Sequence, residues 1–231
     1  DSAPQTNEVR RSVVLIAVGH MLADRYALPL RTSELGASGG LNLHWDSYAM
    51  TVGGQTFGAA DPALTLRPDW SGPLPTPARP DVTARAGVDL NPLDPTCAQD
   101  ALRLQAYLWP DQPDRLALTR AAIKAAQTPV KKGDAIDWLA PRLAHEAGQI
   151  HLIYSTVAWQ YFPAEKRRLG TALIAEAGAT ATEDTPLAWF GMENDGEGRG
   201  AALTLRLWPG DVTLHLGRAD FHGRWVEWTA T

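Results

Sequence analysis

Between residues 33 and 43 the chain reads Ser33-Glu34-Leu35-Gly36-Ala37-Ser38-Gly39-Gly40-Leu41-Asn42-Leu43, a run whose residue types and spacing suit the binding of a small zwitterion. Gly36, Gly39 and Gly40 permit a tight turn and let a ligand come against the backbone. The helix expected to follow would offer unpaired N–H groups and a positive dipole end, which favour a carboxylate or phosphate. Glu34 closes the preceding apolar stretch. A negative charge there would welcome an ammonium or sulfonium and repel a pyrophosphate, so the loop favours a zwitterion over a dinucleotide. The same glycines would also make a plain strand-to-helix connection, although three exceed what a turn requires.

Other polar residues have a structural and a functional reading side by side. Asp89 ends an apolar stretch and faces either a ligand or a turn before Pro92. Asp134 follows Gly133 and is an equally good helix cap. Asn42 either caps backbone or lines a pocket. Asp46 and Tyr48 lie just beyond the glycine loop, facing a site or the surface. Trp109 and Arg115 flank a Pro-bounded bend, where Arg115 reads as a binder of an acidic substrate or, more readily, as a partner in a structural salt bridge. Trp159 and Tyr161 stack on a substrate or pack in the core. Cys97 reads as a small buried residue. The six histidines show no metal-ligand spacing, and His145-Glu146 lacks the second histidine of a zinc-protease helix. Neither a Gly-x-Ser-x-Gly elbow nor a Walker-type Gly-Lys-Ser/Thr occurs.

The run Glu34-x-Gly36-x-Ser38-x-Gly40 resembles the first motif of class I S-adenosylmethionine-dependent methyltransferases, acid-x-Gly-x-Gly-x-Gly, with Ser38 at the middle glycine position. The resemblance implies S-adenosylmethionine as cofactor. Glu34, Gly36, Ala37, Ser38, Gly40 and Asn42 would hold its methionine end, Asp89 beside Leu90 its ribose, and Asp134 beside Ala135 its adenine. Ser155 would open the substrate-facing loop after the fourth strand and complete the cofactor set, with Asp46, Tyr48, Trp159 and Tyr161 as substrate candidates. No catalytic base is assigned. A second likeness covers most of the chain, from Asn7 to Trp228. Glu34–Leu43 with Asp46 and Tyr48, Gly87-Val88-Asp89-Leu90-Asn91-Pro92, Trp109-Pro110 and Arg115 are similar to the uncharacterised bacterial family DUF2332. That likeness implies a fold and a relationship, and names no reaction.

The elements that must position these residues alternate. Asn7 or Thr6 caps a helix to about Ala23. A strand over 28–35 and a short helix over 41–49 bracket the glycine loop. Residues 50–80 turn to Gly, Pro and Thr and read as an insertion, with a hairpin or edge ribbon from 51–56 and 63–67 and a Pro-rich loop over 71–80. Strands follow at 84–90, 129–132, 149–155 and 187–192. Helices are expected from Asp94-Pro95 to about Trp109-Pro110, over 113–127, over 135–146 behind an Asp134 cap, and over 163–177. Residues 202–207 and 212–216 make a hairpin around Pro209-Gly210-Asp211, extended by 221–229. The expectation is one α/β domain, Rossmann-like and of the methyltransferase type. It would have a mixed sheet of about seven strands, helices on both faces and a C-terminal antiparallel hairpin.

Composition narrows the class. The chain has 231 residues, 45% hydrophobic and 20% charged, with a formal net charge of −5. Such a chain can bury an ordinary core without metal or disulfide. It has no basic field of the kind a dedicated nucleic-acid binder needs. One cysteine excludes an internal disulfide and fits a reducing compartment. The apolar run 13–18 is too short to span a bilayer, so a cytoplasmic location is expected. Beginning at Asp1, the chain reads as trimmed or as part of a longer protein. Against the methyltransferase stand two rivals: a non-catalytic ligand-binding module on the same fold, and an NAD-dependent oxidoreductase, which Glu34 disfavours.

Overall fold

Two stretches of the chain, 30–35 and 150–156, are buried at every residue, a pattern that strands show when packed layers cover both faces. The computed structural model describes residues 7–109 and 111–230. Its elements run α1 (Ser12–Tyr26), β1 (Leu30–Leu35), β2 (Ala49–Val52), β3 (Gln55–Gly58), β4 (Thr65–Leu66), β5 (Asp69–Ser71) and β6 (Val82–Asp89). Then come α2 (Ala98–Ala106), α3 (Pro113–Ala125), β7 (Lys131–Lys132), α4 (Ala135–Leu139), β8 (Ile150–Thr156) and α5 (Ala164–Ala179). The chain closes with β9 (Leu187–Glu193), β10 (Ala201–Trp208), β11 (Val212–Ala219) and β12 (Trp225–Trp228).

The main sheet has nine strands in the order β5-β12-β11-β10-β9-β8-β1-β6-β7. β7, β6, β1, β8 and β9 are mutually parallel, and β10, β11 and β12 follow antiparallel. The parallel strands therefore lie in the order third, second, first, fourth, fifth. The chain works outward from β1 in one direction and then returns to its other side, so the order reverses between β1 and β8. At such a switch point the flanking connections diverge and leave a crevice beyond the strands' carboxyl ends.

Alternation along β8 divides the core. Ile150, Leu152 and Tyr154 face a cluster with α1, α3 and the small sheet β3-β2-β4, while Ile153 faces a second cluster with α4 and α5. α1 is buried from Ser12 through His20, as a helix must be when it is apolar all round. Leu15, Ile16 and Leu22 are fully buried, and each such side chain contributes about 1.5–3 kcal/mol. Gly19 lets the Trp45 ring lie directly on α1, where a Cβ would overlap it.

Several expectations are corrected. Nine strands replace about seven, because β12 adds to the hairpin and β5 of the expected insertion joins the sheet edge beside it. The hairpin of that region is β2–β3, turning through Gly53 and Gly54 at positive φ, the backbone that two-residue hairpin loops require. β4 pairs parallel to β2 instead. Asp94 does not start a helix. It accepts from the Thr96 N–H and hydroxyl in a local turn, and α2 begins at Ala98. Cys97, expected buried, is exposed at its N-cap. Asp134 does cap α4, but the helix ends at Leu139 and tightens to a 3-10 turn over Ala140–Leu143, where Pro141 cannot donate. The first helix starts at Ser12, and Asn7 caps another segment. Thr6 and Pro110 lie outside the described residues.

Candidate functional site

The glycine loop leaves β1 in an alternating backbone: Gly36, Ser38 and Gly40 have φ of 76°, 52° and 70°. These are the three positions at which the methyltransferase-like pattern has glycine. The loop is tied down from several sides. Gly36 and Ala37 N–H both donate to the Val88 carbonyl at 3.0 Å. Ser38 N–H donates to Asp89 Oδ2 at 2.9 Å, while Asp89 Oδ1 accepts from Asn91 N–H at 2.9 Å. A Cβ on Gly36 would stand 2.5 Å from that of Ala158, and one on Gly40 2.8 Å from Val130. These glycines thus admit neighbouring protein segments. The expected free helix N-terminus is absent: a 3-10 helix spans Leu41–Ser47, and Leu41 N–H donates to Asn7 Oδ1 at 3.1 Å.

The loop forms one wall of a cleft of about 590 Å³ at the carboxyl ends of β1, β6 and β8, at the switch point of the sheet. Pockets of about 300–1,000 Å³ accommodate small ligands and cofactors. Of the residues expected to hold a cofactor, Glu34, Gly36, Ser38, Asn42, Asp89, Leu90, Asp134 and Ala135 line this cleft, as does the substrate candidate Tyr161. Ala37, Gly40 and Ser155 are not among the residues that line it. Ser155 Oγ donates to Glu193 at 2.8 Å.

Three substrate candidates stand elsewhere, and the expectation that they face the site is corrected. Asp46 is held by both Arg85 amino groups, at 2.8 and 2.9 Å. Tyr48 is fully buried and donates to the Leu41 carbonyl at 2.6 Å. Trp159 packs on Phe162 and Trp189. Arg115 makes the expected salt bridge, with Glu8 at 2.7 Å.

Glu34 is a buried carboxyl on the cleft wall. It is 1% exposed, and its near polar neighbour is the Tyr154 hydroxyl, whose single proton is shared between the Asn42 carbonyl at 3.2 Å and Glu34 Oε2 at 3.4 Å. Burial raises its pKa well above the usual carboxylate value, outweighing Tyr154 and the charge of Arg11. Asp134 carries three contacts on one oxygen: Oδ1 accepts from Ile136 and Asp137 N–H and pairs with Lys166 at 3.1 Å.

Sequence reasoning missed three residues. Arg11 and Lys166 line the cleft. Glu193, at the end of β9, accepts from Ser155 Oγ and the N–H groups of Ala158, Trp159 and Gln160, and so holds the 156–163 wall in place. That wall includes Val157 at φ 56°, a backbone that a β-branched residue adopts only under constraint. An arginine opening an otherwise apolar helix was the available signal for Arg11. Among the described residues, no group of three His, Cys, Asp or Glu side chains is placed to hold a metal ion. Nor is any helix among them long and apolar enough to cross a membrane.

The sequence model of a family described as "Uncharacterized protein conserved in bacteria (DUF2332)" matches residues 1–228, and the chain belongs to that family. No curated protein and no solved structure matches it.

Proposed function

We propose that this DUF2332 chain binds S-adenosylmethionine in the switch-point cleft, on a Rossmann-like sheet of methyltransferase type, and transfers its methyl group to an acceptor. The observation that carries the reading is the join of two features: a loop left-handed at Gly36, Ser38 and Gly40, and a desolvated carboxyl, Glu34, at its root. A buried carboxyl with one weak hydrogen-bond partner is unfavourable when ionised. A cationic ligand group lets it ionise with a partner. A pyrophosphate would force it to stay protonated, which counts against NAD.

The chain's own residues fit the cofactor piece by piece. Glu34 meets the cationic methionine end. Asp89, half-buried beside the exposed Leu90, faces the ribose hydroxyls. Asp134 keeps Oδ2 available to the adenine amino group, since its cap and ion-pair contacts all fall on Oδ1. The cofactor, when bound, supplies an activated methyl group on a sulfonium. Transfer then asks the protein for in-line positioning and exclusion of water.

One observation favours a second reading, a binding module without transfer. Two of the described cleft groups are not poised as a general base: burial raises the pKa of Glu34, and Lys166 is paired with Asp134 and Asp137. Calorimetric titration with S-adenosylmethionine, S-adenosylhomocysteine and NAD tests the proposal. Binding of either adenosyl compound, and not NAD, is expected. Failure of both at millimolar concentration overturns it. With binding in hand, transfer of labelled methyl groups to cell extract separates the enzyme from the module.

A further inference from the structure

Arg11 is 9% exposed and lines the cleft. Its Nε donates to the Phe221 carbonyl at 2.8 Å and its Nη1 to the Thr156 carbonyl at 2.9 Å. These bonds lock the guanidinium in place from two sides of the fold. Among the described residues Nη2 has no hydrogen-bond partner, and no carboxylate lies within 4.0 Å of the group. Nearby acids are committed elsewhere. Glu8 serves Arg10 and Arg115, and Glu193 serves Ser155 and three backbone N–H groups. Two carbonyls satisfy N–H bonds without neutralising the charge. A desolvated cation left unpaired is costly, and here its one free amino group belongs to a side chain on the wall of a ligand-sized cleft.

We infer that Arg11 is an anion anchor for the carboxylate of the ligand, so that Arg11 and Glu34 together select compounds bearing a free α-amino acid. The inference rests on the cofactor reading above and names which part of the cofactor gives it selectivity. A phosphate suits the site less well, because Asp89 and Asp134 share the cleft and would repel a second negative charge. A carboxylate with its own ammonium matches the pairing of one fixed cation with one ionisable acid. Pre-organisation adds to selectivity, since the guanidinium loses little freedom when the anion arrives.

The test compares S-adenosylhomocysteine with 5′-methylthioadenosine, which keeps the adenosine and thioether and lacks the amino acid. Both are titrated into the wild-type chain, Arg11→Gln and Arg11→Lys. The wild type is expected to prefer S-adenosylhomocysteine by about tenfold or more, the range for a hydrogen bond to a charged group. Arg11→Gln should lose most of that preference while binding 5′-methylthioadenosine unchanged, which also reports an intact cleft. Arg11→Lys should keep part of it. A preference that survives in Arg11→Gln, or that the wild type never shows, overturns the anchor and leaves the cofactor reading standing. If Arg11→Gln does not fold, Arg11→Lys decides: an unaltered preference counts against the anchor because lysine cannot reproduce the two carbonyl contacts that aim the guanidinium. Binding of neither compound to the wild type overturns the cofactor reading and the anchor with it.

Discussion

Replacing Glu34 by Gln isolates the charge on the cleft floor with little change of shape. The amide keeps an oxygen for the Tyr154 hydroxyl, which lies 3.4 Å from Oε2 in the wild type. In the native chain burial raises the Glu34 pKa, with Tyr154 and Arg11 opposing, whereas in the unfolded chain it returns to about 4.3. The folded state therefore holds a proton that the unfolded state has released. The sign follows: this contribution to stability is full below about pH 4.3 and is lost as pH rises through the folded-state pKa. The slope is at most about 1.4 kcal/mol per pH unit, for one proton. Urea denaturation of ligand-free wild type and Glu34→Gln at pH 5, 6 and 7 reads the effect directly. The variant should gain on the wild type at each step upward, and groups unaffected by the substitution cancel in the difference. Parallel stability curves across this range would refute the claim that Glu34 is protonated in the empty cleft. The same proton makes a second appearance in binding. If a ligand cation takes its place, titration of S-adenosylhomocysteine in buffers of different ionisation enthalpy shows proton release in the wild type and none in Glu34→Gln.

Asp89→Asn should weaken S-adenosylhomocysteine binding by about 1–3 kcal/mol, the value of a hydrogen bond to a charged group; calorimetry that finds no change removes Asp89 from the ribose site. Gly36→Ala places a methyl 2.5 Å from the Ala158 Cβ at a φ of 76°. The left-handed backbone and the overlap together predict a loss of about 2–4 kcal/mol in urea denaturation, and a loss under 0.5 kcal/mol would show that the loop relaxes.

The parallel half of the fold was legible because buried strands announce themselves. Residues 150–156 carry Ile, Leu, Ile and Tyr with little polar interruption, and the alternating strands and helices dictate crossovers. The edges were not. β5 and β7 have three and two residues, too few to show a period. The partners of β5 lie far away in the chain, at Trp225–Glu227. Helix starts misled where a side chain had two local uses. Asp94 closes a turn on Thr96 four residues before α2 begins at Ala98, a competition between cap and turn that side-chain type alone does not decide.

The site divides along the same line. What is local in the chain, the run from Glu34 to Asn42, was readable, and so was Asp89 at a strand end. What a distant segment decides was hidden. Tyr48 and Asp46 are close to the glycine loop in sequence, yet the 3-10 helix over Leu41–Ser47 carries them away from the cleft and into the hold of Leu41 and Arg85. Arg11 lies more than twenty residues before the loop and reaches the cleft because the carbonyls of Thr156 and Phe221 receive it. The Ser38 departure from the glycine pattern has the same logic. Its left-handed backbone is held on one side by Asp89, which accepts its N–H, and on the other by Leu93, whose N–H donates to its carbonyl at 3.3 Å. Both holders belong to the segment that ends β6. The left-handed backbone at Ser38 is thus held from the neighbouring strand, so the wall near Glu34 and the acid at Asp89 are parts of one constraint.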